Sequence, residues 1–431
     1  VGSRDFFATE SGKKGSESPF EGQFNVITQG LRQPGSSIKP ITYAAALERG
    51  YTAATLIMDT KTVFANPGQE KDYEPENYDK KFHGPLQLRF ALGSSINIPA
   101  VKLLALVGVK NMLNMAYNMG ISSFEPTKDN ISRFGLSLTL GGGEVKPIEL
   151  ASSYTAFANG GYKTDPISIL KVTDPKGRVL FEQKDVLKKR ILSSEIAYII
   201  SHMLLDNNAR LLTFGVNSYL NVNGKAISVK TGTTDDKRDN WTIGWTPTVL
   251  VATWVGNNDN SPMGNVASGV TGAAPIWRRI ILEALKEKPA EDFVIPDNVI
   301  AVTIDALGGG LPVDGQATRS EYFLKGTEPQ GPSSIYKQVK VSKADNNKIA
   351  SQSEIDHNEF DLKKFTVFSE DDPVSADGKN RWQEGIDEWL NEAHKDDSLY
   401  HPPTQQSDRV ISDTPTPTPT PEVTFTPTPT F

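Results

Sequence analysis

No cysteine occurs among the 431 residues, which excludes thiol catalysis, disulfide frameworks and cysteine-based zinc or iron–sulfur sites and leaves the redox compartment open. Long apolar runs are absent too: the best stretch, Ile98 to Val109, is interrupted by Lys102, and no run of about 18 apolar residues is available to cross a bilayer. Basic charge is in short supply. With 45 Lys and Arg against 52 Asp and Glu, the net charge of −7 offers no global positive field for a phosphate backbone, so nucleic acid is not an expected partner. The five histidines, His83, His202, His357, His394 and His401, are scattered without metal-ligand spacing, and each reads as a surface or internally satisfied side chain. Val1 stands where Met would open a chain, which predicts a segment upstream that could hold a signal, an anchor or a further domain.

What is present suits a folded enzyme-sized body. A hydrophobic fraction of 37% over this length supplies the cores of about two or three domains. Charge is uneven: residues 1–330 carry 35 basic and 34 acidic side chains, whereas 331–431 carry 10 and 18. The expected division is therefore a body over 1–330, an acidic accessory segment over 331–400, and a tail over 401–431. Within 331–400, Ile335, Val339 and Val341 fit a strand while Trp382, Ile386, Trp389 and Ala393 recur at helical spacing, so either a small module or a solvated linker carrying one helix satisfies the pattern. From His401 onward more than half of the side chains are Pro or Thr, a composition that predicts an extended, mobile tail.

In the body, Ser36 to Glu48 follows Pro34-Gly35 and stops at Gly50, which predicts a buried helix with Pro40 in its first turn, where a lost N–H costs least. Further helices are expected over 86–92, 99–118, 147–159 and 194–205. From Lys225 to Gly256 short β-branched and aromatic runs alternate with turn residues, the texture of adjacent antiparallel strands. Helices first and strands later make an α+β fold, helices packed on a mainly antiparallel sheet.

Two motifs fail on inspection. Gly224-Lys225 resembles the end of a phosphate-binding loop, but Ala226 replaces the hydroxyl and Tyr219 the first glycine. The glycine triplets at 141–143 and 308–310 have no dinucleotide-fingerprint spacing and read as turns.

A third is chemically competent. Ser36-Ser37-Ile38-Lys39 puts a hydroxyl at a helix start and an amine one turn later on the same face. Serine becomes a nucleophile only beside a base, and lysine serves if burial and a second cation hold it neutral, a drop of about 3 pKa units or roughly 4 kcal/mol. Ser-x-x-Lys also begins at Ser11, Ser168 and Ser334, yet only Ser36 opens an apolar helix. Two triplets then follow in chain order, first Ser95-Ile96-Asn97 and, well beyond it, Lys230-Thr231-Gly232.

Ser-x-x-Lys, Ser-x-Asn and Lys-Thr-Gly in that order resemble the signature of penicillin-binding proteins and serine β-lactamases. The flanks Arg32-Gln33-Pro34-Gly35, Tyr73-Glu74-Pro75-Glu76-Asn77-Tyr78, Leu88-Arg89-Phe90-Ala91-Leu92, Asn97-Ile98-Pro99-Ala100-Val101 and Trp241 with Gly244-Trp245-Thr246-Pro247 are similar to the transpeptidase domain of class A, bifunctional penicillin-binding proteins. The resemblance covers about residues 1–329 and implies a sheet flanked by helices plus an all-helical subdomain. It leaves the family's glycosyltransferase domain and membrane anchor without a counterpart here.

It also implies roles. Ser36 is the nucleophile, Lys39 its general base, Ser95 the proton relay to the leaving amine, and Asn97 the holder of Lys39 and a substrate amide. Lys230 attracts the substrate carboxylate, and Thr231 and Thr233 bind it through their hydroxyls. Gly232 permits close backbone approach, and the N–H groups of Ser36 and Thr233 form the oxyanion hole. Asn77, Tyr78, Arg89, Trp241 and Glu144 read as support for the cleft. No cofactor or metal is implied.

The implied activity is a peptidoglycan D,D-transpeptidase outside the bacterial membrane, acting on stem peptides, inhibited covalently by β-lactams and working beside other cell-wall synthesis proteins. A D,D-carboxypeptidase and a non-catalytic acylatable sensor or scaffold are the alternatives. A β-lactamase is disfavoured, because no Glu-x-x-Leu-Asn segment supplies a deacylating carboxylate.

Overall fold

A computed structural model describes residues 6–7, 22–65, 71–184, 186–264, 268–286 and 291–412. The chain divides into two compact units, one comprising 1–334 with 368–393 and the other 335–367 with 394–431.

The first unit is built around one short helix. Pro34 leads into a 3-10 turn, Gly35–Ile38, and the α-helix Lys39–Leu47 continues it with every residue buried. The expected single helix from Ser36 thus starts as a tighter turn, which lets Ser36 stand clear of the α-helical cylinder. Around it pack the helices Asn97–Val107, Val109–Asn118 and Ser194–Leu205. The predicted 99–118 helix is broken at Gly108, whose φ of 85° no ordinary L-residue adopts at low cost, and the two halves meet at 94°. Among the described residues no single helix is long and apolar enough to cross a membrane. The predicted 147–159 helix likewise divides at Tyr154, into Pro147–Ser153 and Thr155–Ala158. Residues 84–87 form a strand before the helix Leu88–Gly93, so only the later part of the expected 86–92 helix is helical.

The strands fall where their texture placed them. Ser228–Thr233, Asp239–Trp245 and Leu250–Gly256 form an antiparallel sheet with Lys230 opposite Ile243 and Gly232 opposite Trp241. One face, through Trp241, Ile243 and Trp245, closes the helical core. The other, through Ile227 and Val229, lies under the helix Ala273–Ala284, whose Trp277 presses on Gly244. This is the expected α+β arrangement. A further antiparallel hairpin, Val299–Asp305 with Thr318–Leu324, carries Glu321, buried against the Arg89 guanidinium.

The expected accessory segment over 331–400 is divided between the two units, whose first break falls at 334/335. Phe368–Ala393 belongs to the first unit: Trp382 packs edge-on to Phe64, Glu370 pairs with the fully buried Lys102 at 2.7 Å, and the Met58 N–H donates to the same carboxylate at 2.7 Å. The helix read at 382–393 exists as Arg381–Ala393, and the strand read near 335–341 exists as Tyr336–Ser342, but they sit in different units. Counted as one block, 331–400 averages together a near-neutral 335–367, carrying 6 basic and 5 acidic side chains, and an acidic 368–393, carrying 2 and 8.

The second unit pairs Tyr336–Ser342 with Phe360–Thr366. A short helix, Gln352–Asp356, opens on a capping box in which Ser351 and Glu354 satisfy each other's backbone N–H. Residues 401–412, expected to belong to a mobile tail, are stitched in, the Ser407 N–H donating to the Ile349 carbonyl at 2.7 Å and the Ile411 N–H to Ser353 Oγ at 2.8 Å. Here backbone hydrogen bonding outweighs the Pro/Thr bias of the rest. The Thr-Pro repeat itself, like Val1–Asp5, lies outside the described residues.

Candidate active site

Three separate stretches of chain converge at one point. The Gly35–Ile38 turn is pinned from below: Ser37 Oγ donates to the Pro34 carbonyl at 2.6 Å and the Tyr154 hydroxyl donates to the Ser37 carbonyl. Gly35, Ser37, Ile38 and Lys39 are buried, whereas Ser36 stays half-buried and reachable.

Lys39 begins the helix and is fully buried. Its ammonium donates to the Ser95 carbonyl at 2.7 Å, the Ile96 carbonyl at 3.0 Å and Asn97 Oδ1 at 2.7 Å. Opposing influences act on that proton. Burial pushes the Lys39 pKa well below its ordinary value and the Lys230 charge pushes the same way, while Asp59 pulls it back up. Three oxygen acceptors also favour the charged form, so for Lys39 to act as a base it must release one of them.

Ser95 turns the chain with a φ of 59°, a left-handed conformation uncommon for serine and characteristic of strained functional positions. Its hydroxyl accepts from Lys230 Nζ at 2.8 Å. Lys230 is buried at the middle of its strand, also donates to the Thr231 carbonyl at 2.7 Å, and has its pKa lowered to about 7 by burial and by the neighbouring Arg210 charge. Asn97 opens the next helix. Its Nδ2 donates to the Glu76 carbonyl at 2.7 Å, and its backbone N–H donates to Asn77 Oδ1 at 2.8 Å.

The strand end and the serine turn touch through two glycines. A Cβ on Gly35 would stand 2.5 Å from the Thr233 carbonyl oxygen and 3.0 Å from its nitrogen, and one on Gly232 would collide with the Pro34 carbonyl. Only bare backbones fit that closely. Thr233 Oγ1 accepts from the Gly269 N–H at 2.9 Å, and Thr231 is buried beside it. The structure therefore brings together all of Ser36, Lys39, Ser95, Asn97, Lys230, Thr231, Gly232 and Thr233.

Of the residues read as support, the Trp241 indole donates to the Gln33 carbonyl at 2.9 Å, and Arg89 is locked against Glu321 and Asp206. Sequence reasoning missed Arg210. Buried at 3% exposure, it is held by the Leu204 and Leu220 carbonyls and Asn207 Oδ1, and its charge acts on Lys230. A lone arginine in a polar stretch carries no motif that could have flagged it.

A half-buried Ser36 at the turn and two buried lysines, Lys39 and Lys230, lie between the helical core and the antiparallel sheet. Residues 5–282 match the penicillin binding protein transpeptidase domain family, and residues 295–338 match the C-terminal domain of penicillin-binding protein 1A. The chain belongs to the penicillin-binding protein transpeptidase family. It is 33% identical over 315 residues to penicillin-binding protein 1A of Aquifex aeolicus, covering 73% of this chain and 42% of that one. Against penicillin-binding protein 2D of Bacillus subtilis it is 33% identical over 339 residues, covering 76% and 45%. Penicillin-binding protein 1A from Haemophilus influenzae superposes with a TM-score of 0.61 at 31% identity, over 72% of this chain and 50% of that one. The chain spans less than half the length of these curated relatives.

Proposed function

We propose that this chain is a peptidoglycan D,D-transpeptidase unit in which Ser36 is the acylated nucleophile. The observation that carries the reading is the linked cluster Lys39–Ser95/Asn97–Lys230 assembled beside an accessible Ser36. In the forward step Ser36 Oγ attacks the carbonyl of the penultimate D-Ala and its proton passes to Lys39. Charge developing on the carbonyl oxygen is held by the backbone N–H groups of Ser36 and Thr233, an arrangement in which one donor is typically worth about 3–4 kcal/mol. Collapse breaks the peptide bond; the terminal D-Ala leaves as an amine after taking a proton through Ser95, and an ester on Ser36 remains.

Lys230, with the Thr231 and Thr233 hydroxyls, receives the substrate carboxylate, and Gly232 keeps the strand open to the substrate backbone. Asn97 orients Lys39 and a substrate amide. An amine from a neighbouring stem then attacks the ester, forming the cross-link and restoring Ser36. A β-lactam enters the same path by opening its ring amide, with no small leaving group to depart. Since the cross-linked polymer lies outside the membrane, the work is extracytoplasmic.

The test is product analysis. A D-Ala-D-Ala stem peptide incubated with the chain and an amine acceptor is expected to yield cross-linked dimer plus free D-Ala. Shortened peptide alone, with no dimer, would replace transfer by hydrolysis.

A further inference from the structure

Behind Asn97 the polar chain does not end. Asn77 Oδ1 accepts from the Asn97 N–H at 2.8 Å, and Asn77 Nδ2 donates to both oxygens of the Asp59 carboxylate at 2.9 Å. Asp59 is fully buried and also accepts from the His83 N–H at 2.9 Å and from His83 Nδ1 at 2.6 Å. The other ring nitrogen, Nε2, lies 3.0 Å from Asp79 Oδ2 at the half-exposed rim. A continuous line of contacts runs from Lys39 Nζ through Asn97, Asn77, Asp59 and His83 to solvent.

We infer that Asp59 and His83 are positioning residues that set the proton affinity of Lys39, His83 acting as an imidazolium that cancels the buried Asp59 charge. This rests on the reading of Lys39 as the base. The geometry favours the cation: both ring nitrogens face carboxylate oxygens, and only a doubly protonated ring donates to both. The Asp59 hydrogen bond, aided by the charges of Asp59 and Asp79, raises the His83 pKa in the same sense and outweighs burial, which lowers it. Asp59 also faces Lys102, itself paired with Glu370, and the buried Tyr43 phenol. The exposed Lys80–Glu76 pair flanks the rim.

The sign follows from charge. An uncancelled Asp59 stabilises the Lys39 ammonium and withholds the base; a cancelled one leaves burial and Lys230 free to lower it. His83→Gln retains a donor to Asp59 and removes the cation, so the acid limb of acylation moves to higher pH. Asp59→Asn retains the shape and removes the anion, so the same limb moves to lower pH. Asp79→Asn, at the surface, weakens the cation's second anchor and moves the limb in the direction of His83→Gln by less.

The experiment is the second-order rate of acylation by a fluorescent penicillin across the pH range, for the whole chain and the three variants. Opposite displacements, of about one unit for the two inner variants, are expected. A merely structural role lowers the plateau in all three and leaves the limb in place, and that result, or displacement of the two inner variants in the same direction, would overturn the inference. Asp79→Asn keeps the test decisive if an inner variant fails to fold. Absence of acylation in folded wild type would defeat the reading of Ser36 and Lys39 itself, a different outcome from an unmoved limb.

Discussion

Lys230 Nζ donates to the Ser95 hydroxyl at 2.8 Å, joining a strand residue to a strained turn far earlier in the chain. Ser95 in turn lends its carbonyl to Lys39 at 2.7 Å, so one residue in a left-handed conformation bridges both lysines of the site. Each lysine is buried, and burial lowers both; the Lys230 charge adds to the effect on Lys39 and the Arg210 charge to that on Lys230, which is how two amines are brought toward neutrality in one cleft.

Lys39→Ala is expected to remove acylation by at least about 100-fold, the usual scale of a positioned general base. Stopped-flow labelling with a fluorescent penicillin measures it. A near-normal rate in the folded variant would remove Lys39 from the base role.

Lys230, with its pKa at about 7, predicts a descending limb. As pH rises through that value the ammonium loses its proton and the attraction for a carboxylate is lost, so acylation by penicillin falls. Lys230→Arg, which stays charged, should carry the limb to higher pH. A rate profile over about pH 6–9 decides it, and an unchanged limb in the variant would assign that ionisation to another group.

Gly232→Ala puts a methyl group into the Pro34 carbonyl, where the strand meets the serine turn. The clash has to be relieved by parting the two backbones that carry the Thr233 and Ser36 N–H groups. Loss of acylation by about 100-fold is expected, the scale of one lost oxyanion donor, with the fold retained by circular dichroism.

Glu370→Gln leaves Lys102 buried without its partner and is expected to cost about 3 kcal/mol in urea denaturation. Burial already lowers the Lys102 pKa, so an unpaired Lys102 sheds its proton as pH rises. The penalty should therefore be larger at low pH than at high pH. Equal stability to wild type would mean that Phe368–Ala393 is only loosely seated on the first unit.

The serine, the two lysines and the Ser-Ile-Asn triplet were singled out by their order and spacing together with the resemblance to a family signature, since Ser-x-x-Lys alone recurs at Ser11, Ser168 and Ser334. The strands from Ser228 to Gly256 were legible because β-branched and aromatic runs have few other uses. The break at Gly108 and the 3-10 turn at Ser36 were not, since helical periodicity passes through a single glycine or a tightened turn almost unchanged. Composition misplaced the C-terminal division, because Trp382 and Glu370 look like any acidic linker until Phe64 and Lys102 are seen opposite them. Arg210 with Lys230, and Asp59 with His83, meet across intervening chain, and a single sequence holds no mark of such pairings.

The most direct measurement is intact mass after incubation with benzylpenicillin, on wild type and Ser36→Ala, with circular dichroism confirming that both are folded. One penicilloyl adduct on the wild type and none on Ser36→Ala is the predicted result. An adduct that persists on Ser36→Ala would contradict the account at its centre.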